Sequence, residues 1–485
     1  MIFAVRPSGC RCRPVDLLTI CFFYVSTPVL LAAYTQRGVL TVSGVSFAVA
    51  CAAPFVVMAW SGHCSLNGKP AYPSSSWLVL TCWLVYVEPS MIIVSVDSAA
   101  MFEFDNSGIL WGRIFFLIWL WLCAAIVGPA THRVVRWNLD RTGYIFLSAI
   151  SLVLFAAMFR AGNLIYYSGL DVPTAGSATS VTVQLAQMFL KVMVGVHALA
   201  LFTRVIPRYM AALLLLVTLV FVFISASRSL LILSVTMLAV VLRSTRVLPT
   251  MRHVGAGTGV AVALLLLIVV YRNEMTIDRD AFWSSPFVTM ASSTDILAQT
   301  RENLAIRWSY GPQFFAVVSN YMSKGPAWSD TWMEGVLGAL PTFIVGDKAQ
   351  RASEHHIEFA LVATGRFPDG VDLAPTPWLH ALFDYGVIGL LVAASIFGVA
   401  LRWLDRAMLP RPVTWARWFI LTSVLWMLAM PETKLDTIIV ALREPIWIAA
   451  LLAIGARVSR AFRPTWSARM RPKPMMNVAV VRTTT

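Results

Sequence analysis

A succession of long apolar runs most constrains what this chain can fold into. A helix needs roughly 20 apolar residues, rising about 1.5 Å each, to cross a hydrocarbon core of about 30 Å. Hydrophobic residues make up 58% of the 485-residue sequence and charged residues only 13%, which excludes a set of soluble domains. About twelve runs approach the required length, and they lie near 17–34, 42–60, 76–96, 109–130, 143–159, 183–203, 209–227, 229–242, 256–271, 378–400, 418–431 and 438–454. We therefore predict an all-α polytopic membrane protein.

The distribution of Lys and Arg predicts how these spans are oriented. With the N-terminus placed in the cytoplasm, the inner segments hold 23 Lys and Arg residues, whereas the short outer loops hold only Arg37, Arg160 and Lys434. Cytoplasmic loops carry the excess of positive charge in membrane proteins. Both termini are therefore predicted to be cytoplasmic.

The spacing of the runs divides the chain into four parts. Residues 1–271 are predicted to form a bundle with the first nine spans, and residues 272–377 a large outer loop with short helices. Residues 378–456 would supply the last three spans, although Arg443-Glu444 interrupts the final one. Residues 457–485 form a basic tail that we expect to rest on anionic membrane lipid.

The net charge of +14 does not indicate a nucleic-acid partner. The basic residues occur in short groups between apolar runs rather than on one patch, which is typical of loops that face anionic lipid. None of the seven cysteines falls in the large loop, so we predict no disulfide framework there.

Several cations fall within or at the ends of the predicted spans. They are Arg113, Lys191, Arg228 and Arg272, and a charge at such depth costs roughly 2.5 kcal/mol or more. By the predicted topology, all but Lys191 lie at the outer level, where arginine forks could hold a phosphate bidentately. The alternative is that each long side chain only reaches back to the interface along its own stem.

The densest polar cluster of the large loop is Ser353-Glu354-His355-His356-Ile357-Glu358, which follows Arg351. Adjacent histidines on a helix point about 100° apart and do not simply chelate one metal. We predict no metal site and no cofactor here. Glu354, His355 and His356 remain candidates for sugar contact or proton transfer, beside the alternative of a polar surface helix.

Two more arginines of the loop stand near aromatic residues. Arg301 and Arg307 precede Trp308-Ser309-Tyr310, a mixture suited to carbohydrate, although loop aromatics also serve as packing residues. At the end of the loop, His380 and Asp384 are spaced i, i+4 and would share one helical face. A histidine held by a carboxylate is a plausible general base, and a helix start with an interfacial histidine is the alternative.

Four motifs, in their order and topology, resemble those of the Wzy-type O-antigen polymerases and the related O-antigen ligases. They are Ser225-Ala-Ser-Arg228-Ser229, Tyr271-Arg272, the segment Leu340 to Lys348 in which a proline precedes a lysine, and Pro377 to Gly389 with its Gly386-Val-Ile-Gly389 pair. The resemblance covers roughly residues 205–400.

The resemblance implies a metal-independent glycosyltransferase of the GT-C type in the bacterial inner membrane. It would move a growing glycan from undecaprenyl pyrophosphate onto an incoming lipid-linked repeat unit at the periplasmic face. Arg228 and Arg272 would bind the pyrophosphate as it leaves. A flippase and a chain-length regulator are implied as partners.

The general base and the precise activity stay open at this stage. The base could be His380, His355, His356 or Glu354, because the start of the re-entering segment departs from the family pattern. An O-antigen ligase is the alternative enzyme. A lipid-linked oligosaccharide flippase or transporter is the alternative from another class, and the mid-span Lys191 favours it.

Overall fold

A computed structural model describes residues 24–30, 32–33, 38–65, 75–95, 104–128, 137–160, 178–224, 310–328, 376–407 and 413–429. It also describes isolated positions between 234 and 242, between 333 and 340, and at 446.

Most of the described residues are helical, which confirms the predicted helical class. The helices named here are α1 (Val42–Ser65), α2 (Ser75–Ile92), α3 (Asn106–Val127), α4 (Arg141–Arg160), α5 (Ala178–Thr203), α6 (Arg208–Ile224), α7 (Tyr310–Lys324), α8 (Pro377–Ala407) and α9 (Trp415–Ala429).

Two short strands depart from the all-α prediction. Strand β1 (Gly38–Leu40) pairs antiparallel with β2 (Ile93–Ser95), with Val39 opposite Val94. The predicted run 76–96 therefore ends as a helix at Ile92, because its last residues are extended. Ile93 and Val94 are β-branched, and such residues favour an extended backbone.

Polar residues fix where several helices begin. The carboxylate of Asp105 accepts from the Gly108 backbone N–H at 2.8 Å ahead of α3. Asp140 does the same for Gly143 at 2.6 Å ahead of α4. Each side chain satisfies a backbone donor that has no partner within its helix.

Three of the described helices are long and apolar enough to cross a membrane: Asn106–Val127, Arg141–Met158 and Pro377–Ala407. Large apolar side chains also face outward, and Ile388 on α8 and Val153 on α4 are 73% and 68% exposed. Such surfaces suit lipid better than water. The chain is a membrane protein.

Helices α2, α3 and α8 form the centre of the described bundle. The Trp77 Nε1 near the start of α2 donates to the Gly128 carbonyl just after α3, at 3.2 Å. The Ser76 Oγ donates to the Leu401 carbonyl near the end of α8, at 2.6 Å. Helix α2 therefore runs antiparallel to both α3 and α8.

Helices α4, α5 and α9 pack beside this centre. The Tyr144 hydroxyl, at the start of α4, lies 2.8 Å from Nδ1 of His197, near the end of α5. The Trp415 indole at the start of α9 donates to the Asp140 carbonyl at 2.7 Å. The α9 end reaches α2, since the Trp83 indole donates to the Leu428 carbonyl at 2.9 Å.

Helix α7 comes from the segment predicted to be the large outer loop. Its residues Gly311 to Val318 are buried, and it packs against α2, α3 and α8. A Cβ on Gly311 would collide with the Ser90 carbonyl, so only glycine permits this close approach of α7 to the end of α2. We call the end of the bundle where α2 stops and α3, α7 and α8 begin the loop end.

Candidate functional site

Four predicted site residues lie among the described residues: Arg113, Lys191, His380 and Asp384. The other eight lie outside the described residues, and their predicted roles stay predictions. They are Arg228, Arg272, Arg301, Arg307, Arg351, Glu354, His355 and His356.

His380 and Asp384 lie in the first turns of α8, at the loop end. His380 is 1% exposed and Asp384 is 0% exposed. The helix begins after Thr376, whose carbonyl accepts from the backbone N–H groups of Leu379 and His380 at 3.1 and 3.0 Å. Pro377 suits the first helical position because it has no N–H to satisfy.

A break at Gly386 separates this short helical piece from the rest of α8. Gly386 has φ 64° and ψ −154°, a combination that is essentially restricted to glycine. The break frees the Phe383 and Asp384 carbonyls, which instead accept from the backbone N–H groups of Ala327 and Trp328, both at 2.9 Å. The segment after α7 thus fixes the backbone of Asp384.

The Gly386-Val-Ile-Gly389 pair therefore has a structural reason. A Cβ on Gly386 would lie 2.9 Å from the Tyr321 hydroxyl of α7, and a Cβ on Gly389 would collide with the Ala381 carbonyl. The two glycines let the start of α8 fold back closely on α7 and on itself. The glycines hold the backbone that carries His380 and Asp384.

Arg113 also lies at the loop end, but its donors are used within the protein. Its Nε donates to the Met91 carbonyl at 2.9 Å, its Nη2 to the Ile92 carbonyl at 3.1 Å and its Nη1 to the Ser43 hydroxyl at 2.9 Å. Met91 and Ile92 end α2, so a cation meets carbonyls at the negative end of a helix dipole. These contacts support a role in positioning α2.

Lys191 lies deeper in the bundle. Its Nζ stands 3.3 Å from the centroid of the Trp426 ring, over the ring face. The neighbouring Leu428 carbonyl bonds Trp83, whose ring packs 5.0 Å from that of Phe397 on α8. Phe397 is about 20 Å along α8 from Asp384, at about 1.5 Å per residue. Lys191 is therefore not brought together with His380 and Asp384.

Sequence reasoning missed a buried acid at the loop end. Glu88, near the end of α2, is 0% exposed, and both its carboxylate oxygens are without a hydrogen-bond partner among the described residues. The side-chain amide of Gln313, on α7, is also buried and also has no hydrogen-bond partner among the described residues. A buried polar group left without a partner costs about 1–3 kcal/mol.

A signal for Glu88 was present in the sequence. It is the one charged residue of the run 76–96, and an ionisable group inside a span is a candidate functional residue. Gln313 carried no such signal, since its helix has no spanning run around it.

Electrostatics at the rim of the loop end centre on Asp105. Its carboxylate accepts from the Gly108 backbone N–H, the Ser107 hydroxyl and the Ser319 hydroxyl of α7. These bonds, that from Gly108 above all, lower the pKa of Asp105 to about 2. An ionised Asp105 therefore joins the start of α3 to the second half of α7.

The comparisons with known proteins return no relative. The chain matches no family model, no curated protein and no solved structure. Function therefore has to be argued from the residues themselves.

Proposed function

We propose that the protein is a glycosyltransferase that polymerises lipid-linked oligosaccharide repeat units into a surface polysaccharide. The observation that carries the proposal is the fully buried His380 and Asp384 pair at the start of α8. The pair lies at the loop end of a membrane bundle, at the junction with the segment that carries Arg272.

The proposed reaction needs few groups from the protein. An acceptor sugar hydroxyl attacks the anomeric carbon of the donor glycan, forming a new C–O bond. The bond between that carbon and the pyrophosphate oxygen breaks, and lipid pyrophosphate leaves with the electron pair. Its charge would be stabilised by Arg228 and Arg272, which cannot lose their own charge.

The hydroxyl proton needs an acceptor as the new bond forms. We assign this role to His380, since it is buried one helical turn from Asp384, in a backbone fixed by Ala327, Trp328 and Gly386. A positioned base adds typically 10²- to 10⁴-fold to the rate. His355, His356 and Glu354 are the other candidates for the base.

Arg113 is left outside the proposed pyrophosphate clamp. Its three donating nitrogens already bond Met91, Ile92 and Ser43.

We propose that the protein acts in the bacterial inner membrane as a multi-pass enzyme, on an undecaprenyl-pyrophosphate-linked donor. Arg301, Arg307 and Arg351 are proposed contacts to the glycan or its phosphates.

The experiment replaces Arg228 or Arg272 by Ala in cells that lack the native gene, and resolves the surface glycan by length. Core capped with one repeat, without a ladder, is expected for both variants. Arg208→Ala is the matched control, because Arg208 is exposed at the start of α6, and it should keep a normal ladder. Normal ladders from Arg228→Ala and Arg272→Ala contradict the clamp, and loss of all glycan from the core indicates a ligase.

A further inference from the structure

Four buried polar side chains at the loop end lack hydrogen-bond partners in the described part of the chain. They are Glu88 on α2, Gln313 on α7, and Thr376 and Trp378 at the start of α8. All four are 0% exposed. Buried polar groups in proteins are nearly always hydrogen-bonded, so a set of four from three helices calls for a ligand.

Helix packing puts three of these side chains at one level. Helices α2 and α3 are antiparallel, and Arg113 bonds the Met91 carbonyl. Glu88 lies one turn before Met91 on α2, and Phe116 lies one turn after Arg113 on α3. Glu88 and Phe116 therefore lie at the same depth in the bundle. The Phe116 ring is 5.8 Å from that of Trp378, and the Trp378 ring is 5.6 Å from that of Phe314, the neighbour of Gln313.

The level lies close to the loop end. Glu88 is about one turn from the end of α2, Gln313 about one turn from the start of α7, and Trp378 is the second residue of α8. At about 1.5 Å per residue, Glu88 lies roughly 6 Å from the end of α2 and Trp378 roughly 2 Å from the start of α8. A ligand would therefore reach them from the loop end.

The chemistry of the groups selects a class of ligand. The Trp378 indole and the Gln313 amide nitrogen donate, Glu88 and the amide oxygen accept, and the Thr376 hydroxyl can do both. None of the four groups is cationic, so a phosphate is disfavoured, and an indole N–H cannot ligate a metal. Sugar hydroxyls both donate and accept, and the flanking rings of Phe116, Phe314 and Trp378 suit the apolar faces of a sugar.

We propose that Glu88, Gln313, Thr376 and Trp378 form the subsite for the acceptor sugar. This inference rests on the proposed function and adds the place where the acceptor binds. The His380 backbone N–H donates to the Thr376 carbonyl at 3.0 Å, and residues four apart share one helical face, so an acceptor held at Thr376 has its hydroxyl near the proposed base. These four groups position the acceptor, while the two arginines bind the donor carrier.

The test uses the purified full-length protein in lipid nanodiscs. The probe is the repeat-unit oligosaccharide released by mild acid from the lipid-linked pool of the same cells, and its binding is measured by calorimetry. Gln313→Leu and Glu88→Gln are each expected to weaken binding about tenfold, the equivalent of one hydrogen bond. Binding of farnesyl pyrophosphate, which probes the donor carrier site, should stay unchanged.

Trp378→Phe is a milder variant that removes only the indole N–H and the smaller ring. Its matched control is Trp418→Phe, because Trp418 is also 0% exposed with an Nε1 that has no partner in the described residues, but lies on α9 in the first turn. Trp378→Phe should weaken oligosaccharide binding and Trp418→Phe should not. Thermal unfolding of each variant reports whether the fold is kept.

The outcomes separate this inference from the proposed function. If folded Gln313→Leu, Glu88→Gln and Trp378→Phe bind the oligosaccharide as the wild type does, the subsite is overturned. The proposed polymerase function is not affected by that result. Higher thermal stability of these variants, together with normal polymer, would also overturn the subsite. It would show that the polar groups are buried at a cost in stability and bind no sugar. Absence of lipid-linked oligosaccharide from the cells, or no binding of farnesyl pyrophosphate by the wild type, overturns both.

Discussion

The guanidinium of Arg113 donates to the carbonyl oxygen of Met91 at 2.9 Å, which joins the second turn of α3 to the end of α2. The contact explains an arginine buried to 7% exposure without any ligand. The charged donor satisfies carbonyls at the end of α2 that have no hydrogen-bond partner within that helix.

Arg113→Met should therefore destabilise the protein by about 2–4 kcal/mol, because it leaves buried carbonyls without a donor. Unfolding in detergent, followed by circular dichroism, measures the change. Arg141→Met, at an exposed position that begins α4, is the control and should alter stability by less than about 0.5 kcal/mol. Equal stability of the two variants would contradict the positioning role of Arg113.

Gly386→Ala should destabilise the protein by about 1–3 kcal/mol, because its φ of 64° and ψ of −154° strain any side chain. The added methyl also meets the Tyr321 hydroxyl at 2.9 Å. The double variant with Tyr321→Phe should recover part of the steric loss, because ring carbons of residue 321 stay 3.2 and 3.4 Å away, and it should leave the backbone strain. Gly195→Ala, where a Cβ finds ordinary contacts from 3.6 Å, is the control and should not destabilise the protein, since alanine favours a helix interior over glycine.

Lys191 and Trp426 should show a coupling energy of about 1–2 kcal/mol, since a cation faces an aromatic ring in a desolvated setting. A double-mutant cycle with Lys191→Met and Trp426→Leu measures it from unfolding in detergent. Additive losses would show that the 3.3 Å approach of Nζ to the ring centroid contributes no stability. Polymer formation per folded molecule should be unaffected by Lys191→Met, whereas a transporter using Lys191 would lose its activity.

Asp105 should make stability depend on pH at the acid end. Its pKa is lowered to about 2 in the folded protein, from about 3.9 in an unfolded chain. The stabilisation is complete above the unfolded value and is lost as pH falls towards the folded value. The stability gap between wild type and Asp105→Asn should therefore be constant above about pH 5 and shrink between about pH 4 and about pH 2. Ser319→Ala should show a smaller gap in the same window, and a gap that grows on acidification would contradict the assignment.

Hydropathy predicted much of the fold because it senses long apolar helices directly. The run 109–130 became Asn106–Val127, and the run 378–400 became Pro377–Ala407. The ends shifted where caps act, as at Asp105, since a side chain that satisfies the first backbone donors decides where a helix starts. The strand after Ile92 was missed because a hydropathy average does not distinguish apolar residues in a strand from apolar residues in a helix.

The candidate site could be predicted only in part. The i, i+4 spacing of His380 and Asp384 put both on one short helix, but their burial depends on α7 and on the break at Gly386. The Arg113 contacts were not predictable, because they depend on helix packing that brings residues far apart in sequence together. Glu88 could have been singled out as the one charged residue of its run, whereas Gln313 became a candidate only once helix packing placed it level with Glu88.

The most direct test of the central claim is polymerisation by the purified protein in nanodiscs that contain lipid-linked repeat units. The wild type should release lipid pyrophosphate and form a glycan ladder. His380→Gln should lower the rate of glycan formation by about 10²- to 10⁴-fold with unchanged binding of farnesyl pyrophosphate. Repeat units that stay monomeric with the wild type, or that cross a vesicle membrane without being joined, would contradict the account.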